Sequence, residues 1–290
     1  MYLSKYVHNT ENFSMSLFEK FVMCLQASTE TPPSYGLFHI ASLLLTIAVT
    51  TLLIWKFRDA EEKTVRRILL ITWITIAILE VYKQIVFSMT VTDGVASWGY
   101  AWYIFPFQFC SSPLYVLPFA IFLKDGRARD AAMSFLSTFA LFGGLAVMLY
   151  PGDVFTYMIG INIQTMIHHG SQVVIGLFLA ARNRHRFSFK FFLMGIIPFA
   201  ILSFVALGLN EIVHLYLTNN GLAGTTFNMF FISRHHPCTL PVLSTLAPKL
   251  PYPVFLMVYL FGFALAAGIV FGLESGCIRP AKHHSPSKEA

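Results

Sequence analysis

Residues 154–181 read VFTYMIGINIQTMIHHGSQVVIGLFLAA, a stretch without Asp, Glu, Lys or Arg that carries His168 and His169 near its middle. About 20 helical residues cross roughly 30 Å of hydrocarbon, so the stretch is long enough to span a bilayer. Ionisable side chains inside such a span are costly. They face a protein interior or a wet cavity and mark chemistry or transport. The spacing agrees, because Asn162, Thr165, His169 and Gln172 recur at i, i+3, i+7 and i+10, one face of a helix.

The rest of the chain has the same character. Of its 290 residues 56% are hydrophobic and only 12% charged, a balance that a soluble domain could not keep off its surface. Six further apolar stretches lie near 37–55, 68–89, 103–123, 131–150, 191–217 and 252–273. The expected fold is therefore an all-α membrane protein, a seven-transmembrane-helix bundle occupying 37–273 as one integral multi-pass domain, in the plasma membrane if the source is bacterial. Residues 1–36 read as an outer interfacial segment. There Ser16 and Glu19 form a capping box ahead of a stripe of Leu17, Phe18, Phe21, Val22 and Leu25. Residues 274–290 read as a polar cytoplasmic tail.

Cationic residues set the expected orientation. Lys56, Arg58, Lys63, Arg66 and Arg67 follow the first span, Lys124, Arg127 and Arg129 the third, and Arg182, Arg184, Arg186 and Lys190 the fifth; the tail adds Arg279, Lys282 and Lys288. The alternate side holds only Lys5, Lys20, Arg234 and Lys249, while Lys83 lies inside the second span. The positive-inside rule then puts the N-terminus outside and the C-terminus in the cytoplasm. The net charge of +6 reflects inner loops that meet anionic lipid, not nucleic-acid binding. Cys24, Cys110, Cys238 and Cys277 show no metal-finger spacing, and a single Cys24–Cys238 bridge on the outer side remains open.

Depth brings the polar groups together. At about 1.5 Å per residue, Cys110 lies on the order of 10 Å below the outer end of the third span, and the two histidines about 20 Å below that of the fifth. Glu80 and Lys83 fall in the outer half of the second span, and Asn210, Glu211 and His214 in that of the sixth. The expectation is a pocket opening outward between spans two, three, five and six, with His39 at its rim. Glu80 with Lys83, and Glu211 with His214, stand at i and i+3, close enough to pair as structural glue. Cysteine with histidine is the minimal nucleophile and base for acyl transfer. Neighbouring histidines point about 100° apart on a helix, so both cannot readily bind one metal ion, and thiol chemistry of this kind requires neither a metal nor an organic cofactor.

Glu80-Val81-Tyr82-Lys83, Phe105-Pro106-Phe107-Gln108-Phe109-Cys110, Ile167-His168-His169-Gly170, and Asn228-Met229-Phe230-Phe231 followed by Pro237 resemble, in order and rough spacing over about 80–270, the signature positions of the YwaF-like integral membrane family. The resemblance implies distant kinship with an animal ether-phospholipid acyltransferase and with hydrolases of fatty-acid esters of hydroxy fatty acids. By that resemblance Cys110 falls at a catalytic cysteine and His169 at a catalytic histidine, with His168 as the flanking alternative. The expected function is a lipid acyltransferase or ester hydrolase acting on a membrane phospholipid or other acylated amphiphile. Gln108, Ser111, Ser112, Asn228 and Gln172 are candidate donors to substrate or oxyanion. A proton-coupled or small-solute transporter built on the buried Glu, Lys and His residues, or a non-catalytic lipid-binding protein, is the alternative.

Overall fold

Hydrocarbon offers no partner to a backbone N–H or C=O, so each apolar stretch closes its hydrogen bonds on itself as helix. The protein is seen in a computed structural model that describes residues 15–152 and 154–278. In chain order it contains α1 (Leu17–Leu25), α2 (Leu37–Phe57), α3 (Glu62–Ser88), a hairpin of β1 (Met89–Thr92) and β2 (Val95–Trp98), α4 (Pro113–Phe122), α5 (Arg127–Phe135), α6 (Leu141–Leu149), α7 (Ile159–Arg182), α8 (Phe189–Asn219), the single turn α9 (Leu243–Leu246) and α10 (Tyr252–Ile278). Lys5, Arg279, Lys282 and Lys288, and with them most of the expected tail, lie outside the described residues. The part of that tail within them is not tail, because α10 continues through residues 274–278.

Five helical segments are long and apolar enough to cross a membrane: Leu37–Phe57, Glu62–Ser88, Arg127–Leu149, Phe189–Asn219 and Tyr252–Cys277. The chain is thus an integral, multi-pass membrane protein. The other two expected spans depart from simple lipid-facing helices, each for a physical reason. α7 has the length, but its polar face of Asn162, Gln164, Thr165, His168, His169 and Gln172 is buried among α2, α3 and α6 and meets protein. The stretch 103–123 breaks up. Its helix α4 is only 10 residues long, about half a bilayer, and is preceded by 3-10 turns at Trp102–Ile104 and Phe109–Ser111. Pro106 interrupts the stretch, and Pro113 starts α4 where its missing N–H costs nothing. Pro118 leaves the Leu114 carbonyl without its helical donor, and the Trp73 indole N–H fills the gap at 2.9 Å.

A five-residue π turn, Leu136–Ala140, joins α5 to α6, and this segment and α7 form the centre of the bundle. Around it α2 packs on α7, α3 on α4 and α7, α8 on α5, and α10 on the π turn. Burial follows that order: Arg127–Leu149 is mostly buried, whereas α2 is mostly uncovered and presents Leu44, Leu45, Ile47 and Leu52 outward. Glycine brings the central helices close. A Cβ on Gly144 would lie 2.8 Å from the His169 carbonyl oxygen, and one on Gly143 would lie 2.8 Å from the Phe109 ring.

The three expected basic connections meet at one end of the bundle, where six of their arginines are held in ion pairs. Glu62 binds Arg66 at 3.2 Å, Arg182 at 3.2 Å and the buried Arg129, while Asp125 takes Arg129 and Asp130 takes Arg186, both at 2.5 Å. Asp59 also carries Arg184 at 3.1 Å, and its contact with Arg58 holds its carboxyl below the usual range. At the opposite end Ser16 caps α1, accepting from the Phe18 N–H and contacting Glu19, while Gln26 ties α1 to the carbonyls of Val86 and Met89. Leu17, Phe18 and Phe21 stay exposed there, and Val22 turns inward. The β1–β2 hairpin, absent from the expectation, closes with Asp93-Gly94, both at positive φ. All four cysteines are free thiols, so no Cys24–Cys238 bridge forms.

Candidate functional site

Irregular backbone at membrane depth survives only where protein satisfies it. The segment before α4 is satisfied group by group. Gln84 Nε2 donates to the Ile104 carbonyl at 2.8 Å, the Tyr115 hydroxyl to Pro106 at 2.5 Å, and two donors converge on the Cys110 carbonyl: His168 Nε2 at 2.9 Å and Gln172 Nε2 at 2.8 Å. Cys110 therefore sits in a 3-10 turn three residues ahead of α4, pinned from α7 by two side chains one helical turn apart.

A carbonyl only accepts, so these contacts fix the proton positions on both imidazoles. His168 carries its hydrogen on Nε2 toward Cys110, which leaves Nδ1 as a bare acceptor. His169 donates from Nδ1 to the Thr165 carbonyl at 2.8 Å, which leaves Nε2 as the bare acceptor. Both free nitrogens are buried without a partner, as are Glu80 Oε2, Ser112 Oγ and Gln172 Oε1; these are five of the ten such atoms among the described residues. Each orphan costs about 1–3 kcal/mol. A fold that leaves five on α3, α7 and the turn that carries Cys110 is holding them for water or a ligand.

The ion pair expected on the second span is present, with Lys83 Nζ 2.8 Å from Glu80 Oε1. Gln84 joins it, donating to Glu80 Oε1 at 2.7 Å and accepting from the Tyr100 hydroxyl at 2.9 Å. Glu80 and Lys83 lie within electrostatic reach of Cys110 and His168. Gln84 was overlooked in the sequence reading, although it stands one turn beyond Glu80 on the same face.

Other candidates go elsewhere. The Gln108 amide is a fastener, donating to the Asn228 carbonyl and accepting from the Phe230 N–H, each at 3.0 Å. Asn228 is likewise engaged, with the Pro237 carbonyl and the Ser233 N–H. Ser111 is buried beside Cys110. Asn210 reads both backbone groups of Met229, at 2.7 and 3.1 Å. These clamps hold Phe230 and Phe231 at φ 58°, a strained conformation for a bulky residue, and pack Phe230 on Phe107 and Phe109. That packing fills the part of the expected outward pocket next to Phe107, Phe109 and Phe230. The cavity lined by Gln172, Ser171 and Pro113 is about 10 Å³, room for one water. His39 is not at a rim but fully buried, bridging the Tyr35 N–H and the Met148 carbonyl. Glu211 and His214 do not pair with each other. Glu211 takes Arg234 at 2.7 Å and His235 at 3.1 Å, and His214 stacks on His235 with centroids 3.5 Å apart, outside the Cys110 cluster. His235 and His236 escaped notice because nothing periodic marks a loop.

No group of three or more His, Cys, Asp or Glu arranged to hold a metal ion occurs among the described residues. The sequence pattern of the TMEM164 family matches residues 34–273, from the approach to α2 through most of α10. No curated protein and no solved structure matches the chain.

Proposed function

The chain belongs to the TMEM164 family, and from that premise we propose that it is a membrane-embedded lipid acyltransferase or ester hydrolase in which Cys110 is the nucleophile and His169 the base. One observation carries this reading: two imidazoles, each locked by a carbonyl into a tautomer with a bare, buried acceptor nitrogen, stand on the helix whose His168 and Gln172 pin the Cys110 backbone in place. A base must hold a free lone pair in advance of the proton it takes.

In the proposed reaction His169 Nε2 accepts the Cys110 proton and the sulfur bonds to the ester carbonyl carbon of a phospholipid or other acylated amphiphile. The C–O bond then breaks, the leaving oxygen takes the proton from His169, and the acyl group remains on sulfur as a thioester. A lysolipid hydroxyl or water attacks next, giving its proton to His169, and thiol is regenerated as the proton returns to sulfur. The Ser112 hydroxyl and the second Gln172 N–H are the donors assigned to the developing oxyanion, and Lys83 adds a positive charge in reach. Gln108, Ser111 and Asn228 shape the segment that carries the thiol. His168 holds Cys110 in position.

Incubation with a phospholipid donor should leave a hydroxylamine-sensitive adduct on the peptide containing Cys110 and none in Cys110→Ser. Full lipid turnover by Cys110→Ser, or no adduct with any ester donor, overturns the reading. α7 and the half-length α4 are assigned here as the remaining two of seven membrane segments, with the arginine-rich end cytoplasmic against anionic headgroups. In a chain whose own cysteines are replaced by Ser, the exposed His185→Cys should react with an impermeant maleimide only after cells are opened. Labelling of intact cells would reverse the orientation.

A further inference from the structure

Between Glu211 and Glu274 the chain carries no Asp or Glu, yet it holds Arg234, His235, His236 and Lys249 in the connection from α8 to α10. That connection walls a cavity of about 390 Å³. Arg234, His235 and Ser244 line it together with Leu250, Phe255 and Cys238, so its lining combines basic and hydroxylic side chains with apolar ones. It lies where α8 ends and α10 begins, which is headgroup depth for a bundle of this kind, and the neighbouring Leu222 and Val242 are exposed as in a loop that touches the membrane boundary.

Glu211 already takes one Arg234 nitrogen at 2.7 Å and His235 Nε2 at 3.1 Å, so an anion here meets the donors that remain. Glu211 holds the Arg234 guanidinium in its charged form but engages one of its nitrogens, leaving further N–H donors of an exposed side chain. Burial, reinforced by His214 and His235, keeps the His236 imidazole below its usual value, and its Nε2 accepts the Phe227 N–H at 3.3 Å. His236 therefore serves the wall as a neutral group. Arginine's planar fork matches phosphate oxygens in two places at once, which a neutral polar headgroup does not reward.

We propose that this cavity binds the phosphate headgroup of a glycerophospholipid from the adjoining leaflet, with Arg234 and His235 on the phosphate and the glycerol and first acyl carbons against Leu250 and Phe255. The apolar wall selects a lipid over free phosphate. The site needs no catalysis at Cys110, and it is best tested in full-length Cys110→Ser protein, delipidated in maltoside micelles. Native mass spectrometry across concentration series of dihexanoyl phosphatidic acid, dihexanoylglycerol and inorganic phosphate compares the three chemistries directly. The phosphatidic acid should bind at least about tenfold more tightly than either of the others, the ratio that one charge-assisted contact provides. Arg234→Gln with His235→Gln should lose about that factor while its thermal unfolding stays cooperative. Ser244→Glu, which places a carboxylate in the cavity and leaves both basic groups intact, should lose it as well. Unchanged phosphatidic acid binding in both variants, equal binding of dihexanoylglycerol, or equally tight binding of inorganic phosphate would each overturn the proposal, the last by reducing the cavity to a site for free anions.

Discussion

Lys83→Met should lower the stability of the folded bundle by about 3–5 kcal/mol, the range for a buried pair that loses one partner. The side chains of Lys83 and Glu80 are 18% and 7% exposed, and their contact is 2.8 Å. Take away the ammonium and the Glu80 carboxylate keeps only the Gln84 amide, while its second oxygen already has no partner. Methionine has nearly the length of lysine's stem, so packing along α3 changes little and the loss reports electrostatics. Glu80→Gln combined with Lys83→Met leaves a neutral amide beside Gln84 and should cost only about 1–2 kcal/mol, that of an imperfectly paired polar group. Unfolding by SDS in mixed micelles gives all four corners of the double-mutant cycle. A single variant as stable as the parent would show that the pair contributes nothing to the fold.

That pair was legible because helical periodicity needs only sequence: Glu80 with Lys83, and the buried face of Asn162, Thr165, His169 and Gln172, follow from spacing alone. Hydropathy failed where proteins depart from lipid-facing helix. It read 103–123 as one span, although Pro106, Pro113 and Pro118 were in view, because it weighs transfer energy and not where backbone donors go; Trp73 and Tyr115 supply those donors from the tertiary fold. The hairpin at Met89–Trp98 had its signal in Asp93-Gly94, in the connection between two expected spans to which no element was assigned. Glu211 and His214 misled because i, i+3 spacing says two side chains can meet, not that a loop with Arg234 and His235 offers better partners. The roles of Gln108 and Asn228 were illegible for the same reason, since both reach across more than a hundred residues or into an irregular loop.

The two histidines should part company under substitution. His169→Ala should lower the rate of Cys110 adduct formation by about 10²-fold, the low end of general-base contributions, and His169→Gln should do no better, since an amide nitrogen has no lone pair to accept a proton. His168 differs because its tautomer spends Nε2–H on the Cys110 carbonyl. His168→Ala removes that donor while Gln172 keeps its own, so the turn that carries the thiol loosens without collapsing. The expected drop is about tenfold, one hydrogen bond's worth of positioning. His168→Gln restores an N–H at similar reach and should recover most of that rate. A base cannot be rescued in this way and a positioning residue can, so the comparison of the two glutamine variants assigns the roles even if absolute rates vary with the lipid donor. Recovery in His169→Gln together with loss in His168→Gln would exchange the assignments, with His168 Nδ1 as the proton acceptor and His169 as its support.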